Sequence, residues 1–417
     1  MALSDSEPTI TPFDEFYRRA QSVDHEEFRR RPGTKVRNRD AFEEQRRHLL
    51  SLYHGINASH SFVDSQGQIF DCIPIEQQPA LTRTGAAVAT PPVVPAPSGT
   101  PARPSEAVMP LHPNKRDRFG NVMSCPPGTV AVRRVTLEEL SRFETLGHFL
   151  RKSPRSIQAA MAPPAAPEAP QPPHEYAHAG QTVDNLGGHG FLNVWAPAIT
   201  GDETFSLSQH WYAAEGPAGT QTAEVGWQVF PEKYRHAHPV LFTYWTPDGY
   251  KTGSYSNDAG DFVQYSPNCP VGIALDDVSV LGGAQAEIEV CYFLSGGNWW
   301  LFINGTGAAN AVGYYPATKY QGGPLATKAT SIDYGGETVG ATAYPPMGSG
   351  EFASAGAGKA AYQRDIFYFT PAGTSQQADL QPAEQWPASY TIEVLQSDAW
   401  GEYFWFGGPG GAPEPST

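Results

Sequence analysis

The sequence predicts a mainly β protein, in which an antiparallel β-sandwich of two sheets follows a small α+β module. Three observations predict it. Charged residues are 17% of the 417, against about a quarter in ordinary soluble domains. Aromatics reach 12%, and Gly and Pro number 42 and 39; few charges, many aromatics and many turn formers favour sheets over helical bundles. From Phe191 onward, β-rich runs follow one another with turn signals and no helical pattern between them, which implies packed antiparallel sheets and not a parallel α/β sheet. Between the two halves, residues 154–173 read PRSIQAAMAPPAAPEAPQPP, a stretch that can make neither ladder nor helix and should be extended and solvated. The expected organisation is residues 1–153, a proline-rich linker at 154–173, and residues 174–417.

In the first part, Asp40 to Tyr53 (DAFEEQRRHLLSLY) sets Phe42, Leu49, Leu50 and Tyr53 on one helical stripe with charges opposite. Thr136-Leu137-Glu138-Glu139 reads as a capping box, and Leu140, Phe143, Leu146 and Leu150 continue an apolar face behind it. Strands are expected from Ile69 to Ile75, after a turn at Gly67, and from Thr129 to Val135. Residues 84–113, rich in Pro, Ala and Thr, read as a long exposed insertion. In the second part, strands are expected at Phe191 to Trp195, Phe205 to Trp211, Thr222 to Phe230, Val240 to Tyr244, Ala286 to Leu294 and Trp299 to Ile303. Pro217-Ala218-Gly219, Pro247-Asp248-Gly249 and Gly296-Gly297-Asn298 mark turns between them.

Charge and cysteine content bound the function. Residues 1–170 hold 21 Lys+Arg against 19 Asp+Glu, which leaves 7 against 24 for the remainder. So acidic a second part should repel nucleic acid and anionic membranes, and would lose most of its self-repulsion in acid. Its acids serve either solubility or work in an acidic medium. No window holds 18 consecutive apolar residues, so no transmembrane helix is expected, and the polar N-terminus shows no secretory signal. Cys72 and Cys125 lie in the first part, Cys269 and Cys291 in the second. That split fits one disulfide in each part and an oxidising compartment, although four cysteines allow three pairings. Four reduced, buried thiols are the other reading.

Most catalytic patterns are missing from the sequence. It has no G-x-S-x-G elbow and no G-x-x-x-x-G-K-[ST] phosphate loop. His174-Glu175-Tyr176-Ala177-His178 matches H-E-x-x-H, but zinc chemistry needs the two histidines on one face of a helix. Pro172 and Pro173 before the motif and Gly180 after it favour a strand or loop, so neither metal nor cofactor is expected. Carboxylates remain. In a strand, residues i, i+2 and i+4 share a face, so Glu224, Gly226 and Gln228 share one face while Val225, Trp227 and Val229 pack in the core. Glycine between acid and amide suits a cleft floor that a substrate backbone approaches. Tyr334-Gly335-Gly336-Glu337 offers a second acid beside two glycines. If the fold brings Glu224 and Glu337 together, each raises the proton affinity of the other, which suits acid–base work on a water.

At these residues the chain resembles the neprosin family of glutamic peptidases, whose known activity is cleavage after proline. Matching stretches include Asn193-Val194-Trp195-Ala196-Pro197, Ser206-Leu207-Ser208-Gln209-His210-Trp211 and Glu224-Val225-Gly226-Trp227-Gln228-Val229. Others are Leu241 to Tyr250, Gly297-Asn298-Trp299-Trp300-Leu301, Val312 to Pro316, Tyr334 to Glu337 and Met347 to Gly350. In the first part, Phe70-Asp71-Cys72-Ile73-Pro74-Ile75, Gln78-Pro79-Ala80, Cys125-Pro126-Pro127-Gly128-Thr129 and Arg133-Arg134 resemble the family's activation domain.

The resemblance implies that Glu224 and Glu337 are the catalytic acids, on one concave face of two curved antiparallel sheets. It suggests the Cys72–Cys125 bridge. The plant pattern has two close cysteines after the Asp-Gly-Tyr turn; Ser254, Tyr255 and Asp258 to Asp261 hold none, and Cys269–Cys291 is the expected substitute. Gln228 is expected to donate to the oxyanion or orient a glutamate. Trp245, Tyr250, Trp299 and Trp300 are candidates for a flat apolar pocket that takes the proline ring, while Trp227 faces the core by parity. The expected substrates are proline-containing peptides or proteins, with the first part as an intramolecular inhibitor released by cleavage in the linker. The family is typically extracellular. A Trp-rich sandwich that binds glycan or cell-wall polymer, and a glycosidase with paired carboxylates, are the competing readings.

Overall fold

The computed structural model describes residues 10–96, 115–152, 174–384 and 386–412. Along Gly219–Val229 every side chain from Gln221 on is buried, apolar and polar alike. Successive residues of a strand point to opposite faces, so this sheet is covered on both sides. One face meets a second sheet and the other meets the N-terminal part of the chain.

The first sheet has seven strands in the order Gln381–Glu384, His174–Asn185, Ala329–Gly340, Glu203–Gly216, Gly219–Val229, Val240–Thr246 and Ser254–Tyr255. The second has nine. Its path runs Val263–Gln264, Ala311–Pro316, Asn298–Ile303, Glu287–Ser295, Gly187–Asn193, Ala361–Phe369, Gly401–Gly407 and Thr391–Ser397, with Ser375–Gln377 paired to Ala361–Phe369. All of these pairings are antiparallel. Tyr212, Val225, Trp227, Leu241, Ile288, Tyr292 and Trp299 fill the space between the sheets, as the expected sandwich requires.

The N-terminal part holds a three-stranded antiparallel sheet, His60–Val63, Ile69–Pro74 and Thr129–Arg133. The amphipathic helix runs Arg39–Tyr53, with Asn38 as its N-cap, and Phe42, Leu49 and Tyr53 face inward. Thr136 caps a helix from its side chain, as expected, but that helix ends at Leu140. A second short helix, Leu146–Leu150, starts at the cap Thr145. The Glu139 carboxylate binds Arg133 and does not close the box.

Phe42, Leu49, Leu140, Phe143 and Phe149 of this part join one cluster with Phe205, Leu207, Val240, Phe242 and Val339 of the seven-stranded sheet. Each such buried side chain contributes about 1.5–3 kcal/mol. Polar contacts fix the seating: Arg133 reaches Asp258 at 2.8 Å, and Gln78 exchanges bonds with the Gln264 backbone at 2.7 and 2.8 Å.

Two expectations are corrected. Cys72 and Cys125 are bonded, but Cys269 and Cys291 are free thiols. The alternation of Glu287–Ser295 turns Cys291 away from the sandwich core, into a cluster with Phe293, Trp300 and Phe302, whereas Cys269 packs against the core itself. Burial pushes the Cys291 thiol well up and the Cys269 thiol up to about 12. The segment from residue 84 is also not simply exposed. Val94 is buried against the outer face of the second sheet, Ala89 donates its N–H to Tyr314, and Ser375 donates to the Ala96 carbonyl. The remainder of the insertion and the linker lie outside the described residues.

Candidate active site

Strand order and register bring Glu224 and Glu337 together. Glu203–Gly216 runs between their two strands, with Trp211 opposite Glu224 and Leu207 opposite Glu337. Trp211, Gln209 and Leu207 therefore share the face that carries both acids. Gly226 and Gly335 both lie opposite Gln209. A Cβ on Gly226 would stand 2.0 Å from the Ser208 carbonyl oxygen, and one on Gly335 would stand 2.3 Å from that of Ala177. The glycine beside each acid thus serves the close approach of a neighbouring strand; the approaching backbone is the protein's own and not a substrate's.

Both carboxylates are fully buried and meet at one cation. Lys152 Nζ lies 2.6 Å from Glu224 Oε2 and 2.7 Å from Glu337 Oε2. It is the last described residue before the linker, and its backbone N–H donates to the Tyr244 hydroxyl at 3.2 Å. The ammonium also sits 5.3 Å from the centre of the Trp211 ring. Thr222 and Tyr250 each donate a hydroxyl to Glu224 Oε1 at 2.7 Å. On the other side, Gln209 donates to Glu337 Oε2 at 3.2 Å, and His174 Nδ1 lies 2.5 Å from Glu337 Oε1.

Burial by itself would raise the Glu337 pKa, but the Lys152 ammonium and then the His174 ring hold the carboxyl below its ordinary value. Burial, followed by the Glu224 carboxylate, pushes the Tyr250 phenol well up, so it remains a donor. Tyr250 sits at φ +62°, a left-handed conformation rare outside glycine. Its N–H bond to Thr246 Oγ1 at 3.0 Å and its bond to Glu224 hold it there.

The other expected site residues are more scattered. Gln228 shares the face of Glu224 but donates to Tyr234 at 2.8 Å. Trp245 turns to the sandwich core and donates to Ser254. Trp299 lies in the same core and donates to the Leu325 carbonyl. Trp300 packs on the outer face of the second sheet beside Tyr314. None of these three tryptophans faces the glutamates: alternation turns Trp245 to the other side of the acid-bearing sheet, and Trp299 and Trp300 lie in the second sheet, neither face of which is the cleft. Trp227 is in the core and donates to the Asn193 carbonyl. The H-E-x-x-H residues lie on the strand His174–Asn185, so His174 and His178 do share a face, but four residues apart along a strand, and each meets its own acid: His174 meets Glu337, and His178 meets Asp333 at 3.2 Å. Lys152, Gln209, Trp211 and Thr222 were missed. Gln209 and Trp211 fall inside a motif stretch, but only the register shows that they face the acids; nothing local marks Lys152.

Two buried carboxylates on one sheet face thus converge on a single ammonium. Residues 202–409 match the family model described as Neprosin, and the chain carries a domain of that family. Two solved structures are similar to part of the chain. A scytalido-glutamic peptidase with a transition state analog inhibitor matches at 10% identity and TM-score 0.33, covering 56% of this chain and 98% of that one. SCP-B, a member of the Eqolisin family of peptidases in a complex with the tripeptide Ala-Ile-His, matches at 9% identity and TM-score 0.31, covering 57% and 98%.

Proposed function

We propose that this chain is the latent form of a glutamic endopeptidase that hydrolyses peptide bonds after proline in acid. The observation that carries the reading is the single ammonium of Lys152 seated between Glu224 and Glu337. While it is there, the ammonium fills the space between the carboxylates and no peptide reaches them. Once it leaves, two like charges in one buried site share a proton. One carboxylate then takes a proton from a water that attacks the scissile carbonyl. The protonated partner stabilises the oxyanion, and the leaving amine is protonated as the intermediate collapses. Gln209, directed at the same point with its buried Oε1 unpartnered, is suited to orient the water.

Proline preference rests on the family, and the aromatic rings of Trp211 and Tyr176, cross-strand neighbours of Glu224 and Glu337, suit a compact pyrrolidine ring. The N-terminal part acts as the inhibitor, and cleavage in the proline-rich segment 154–173 separates it. Cleavage of an internally quenched proline peptide by acid-treated full-length protein tests the reading. Glu224→Gln and Glu337→Gln should each lower kcat/KM at least about a hundredfold, and EDTA should leave the wild-type rate unchanged. Wild-type rates in either variant, or no cleavage by wild type at any pH, would reject it. Release of reducing ends from polysaccharide with peptides untouched would favour a glycosidase.

A further inference from the structure

The two acids have unlike surroundings. Among the described residues, Glu224 accepts, besides the Lys152 contact, from the neutral hydroxyls of Thr222 and Tyr250. Glu337 accepts from the neutral Gln209 amide and is paired with the His174 ring, whose side chain is 5% exposed. Lys152 belongs to the part that departs, whereas a cut anywhere in residues 154–173 leaves His174 with the sheet. In the acid range where two carboxylates share one proton, an imidazole carries its own.

We propose that His174 divides the labour of the pair: it holds Glu337 as the ionised, water-activating carboxylate and leaves the shared proton on Glu224. The inference rests on the peptidase reading above. In the step it describes, Glu337 takes one proton from water and the oxygen bonds to the carbonyl carbon. The displaced carbonyl electron pair becomes an oxyanion that accepts a hydrogen bond from protonated Glu224. Collapse of the intermediate breaks the C–N bond, and the nitrogen takes the proton held by Glu337. The products are a carboxylic acid and an amine, and both glutamates return to their starting states.

Other charges face His174. The cavity beside it is lined by Lys35, Arg142, Glu144, His148, Arg151 and Glu232; all but Glu232 belong to the N-terminal part and leave with it. The phenols of Tyr250 and Tyr255 are pushed up by burial and by the glutamates, and remain neutral. Among the described residues, His174 is therefore the basic side chain in contact with the pair that stays, and it is a positioning residue for Glu337.

The acid limb of kcat/KM against pH reports the carboxylate that must be ionised. In acid-activated His174→Gln, that limb should move up by about one pH unit or more, as expected on losing an adjacent opposite charge. His174→Lys, which keeps a cation, should hold the limb at or below the wild-type position. An unmoved limb in His174→Gln, or an equal upward shift in His174→Lys, would overturn the assignment; the second variant decides the matter if the first does not fold. Glu224→Gln and Glu337→Gln run alongside separate the failures. If both are inactive while His174→Gln keeps the wild-type limb, the division of roles falls and the peptidase reading stands. If they are active, both fall.

Discussion

Lys152 holds two carboxylates that would otherwise repel each other. Removing one partner from a buried ion pair costs roughly 3–5 kcal/mol because the other charge is left stranded, so the ammonium departs more easily once protonation relieves that charge. Its pH dependence has a definite sign. The Glu337 pKa is depressed below its ordinary 4.5, so its stabilising contribution is fully present above that value and fades as pH falls through the depressed one. Thermal melts between pH 2 and 6, on the order of that carboxylate range, should show the wild type losing stability in acid more steeply than Glu337→Gln. Parallel curves would show that Glu337 carries none of the dependence. A smaller effect is expected at Tyr250. Tyr250→Phe keeps the ring but removes the hydroxyl that meets Glu224, and kcat/KM should fall a few-fold to about tenfold, the size of one hydrogen bond between neutral groups; an unchanged value would place the hydroxyl outside the chemistry.

At the scale of elements, the site is built from strand parity. Parity was readable where one strand carries its own contrast: Val225, Trp227 and Val229 against Glu224 and Gln228 marked the two faces of Gly219–Val229 correctly. It was not readable in Ala329–Gly340, where glycines and small polar residues hide the alternation, nor in His174–Asn185, which follows the prolines. Which strand lies between the acids is a matter of topology, and so Gln209 and Trp211 could not be found from spacing alone. Aromatic content misled in the opposite direction: Trp299 and Trp300 occupy opposite faces of one strand, and neither face is the cleft. The even number of cysteines misled as well, because Cys269 and Cys291 belong to different clusters. Denatured, unreduced protein should therefore titrate with two thiols per chain, with Cys72 and Cys125 recovered as a linked peptide pair. Titration of none would restore the second bridge.

At the scale of the whole molecule, the N-terminal part covers the acid-bearing face and also reaches round to the outer face of the second sheet. Its seating depends on a buried network in which Asp258 binds Arg133 of one part and Lys233 of the other, at 2.8 and 2.6 Å. Lys233 and Arg133, acting against burial, hold Asp258 below its ordinary value, so this contact also weakens in acid. Arg133→Gln should lower the melting temperature and raise the pH at which the chain becomes active; a variant with wild-type latency would show that the network does not govern release.

The most direct measurement is the pH at which full-length protein first cleaves a proline peptide, wild type against Lys152→Met. Without the ammonium between Glu224 and Glu337, the variant should gain activity at a higher pH than the wild type and process faster at any given pH. An activation threshold identical to that of the wild type would contradict the account, since Lys152 would then not be what keeps the two glutamates silent.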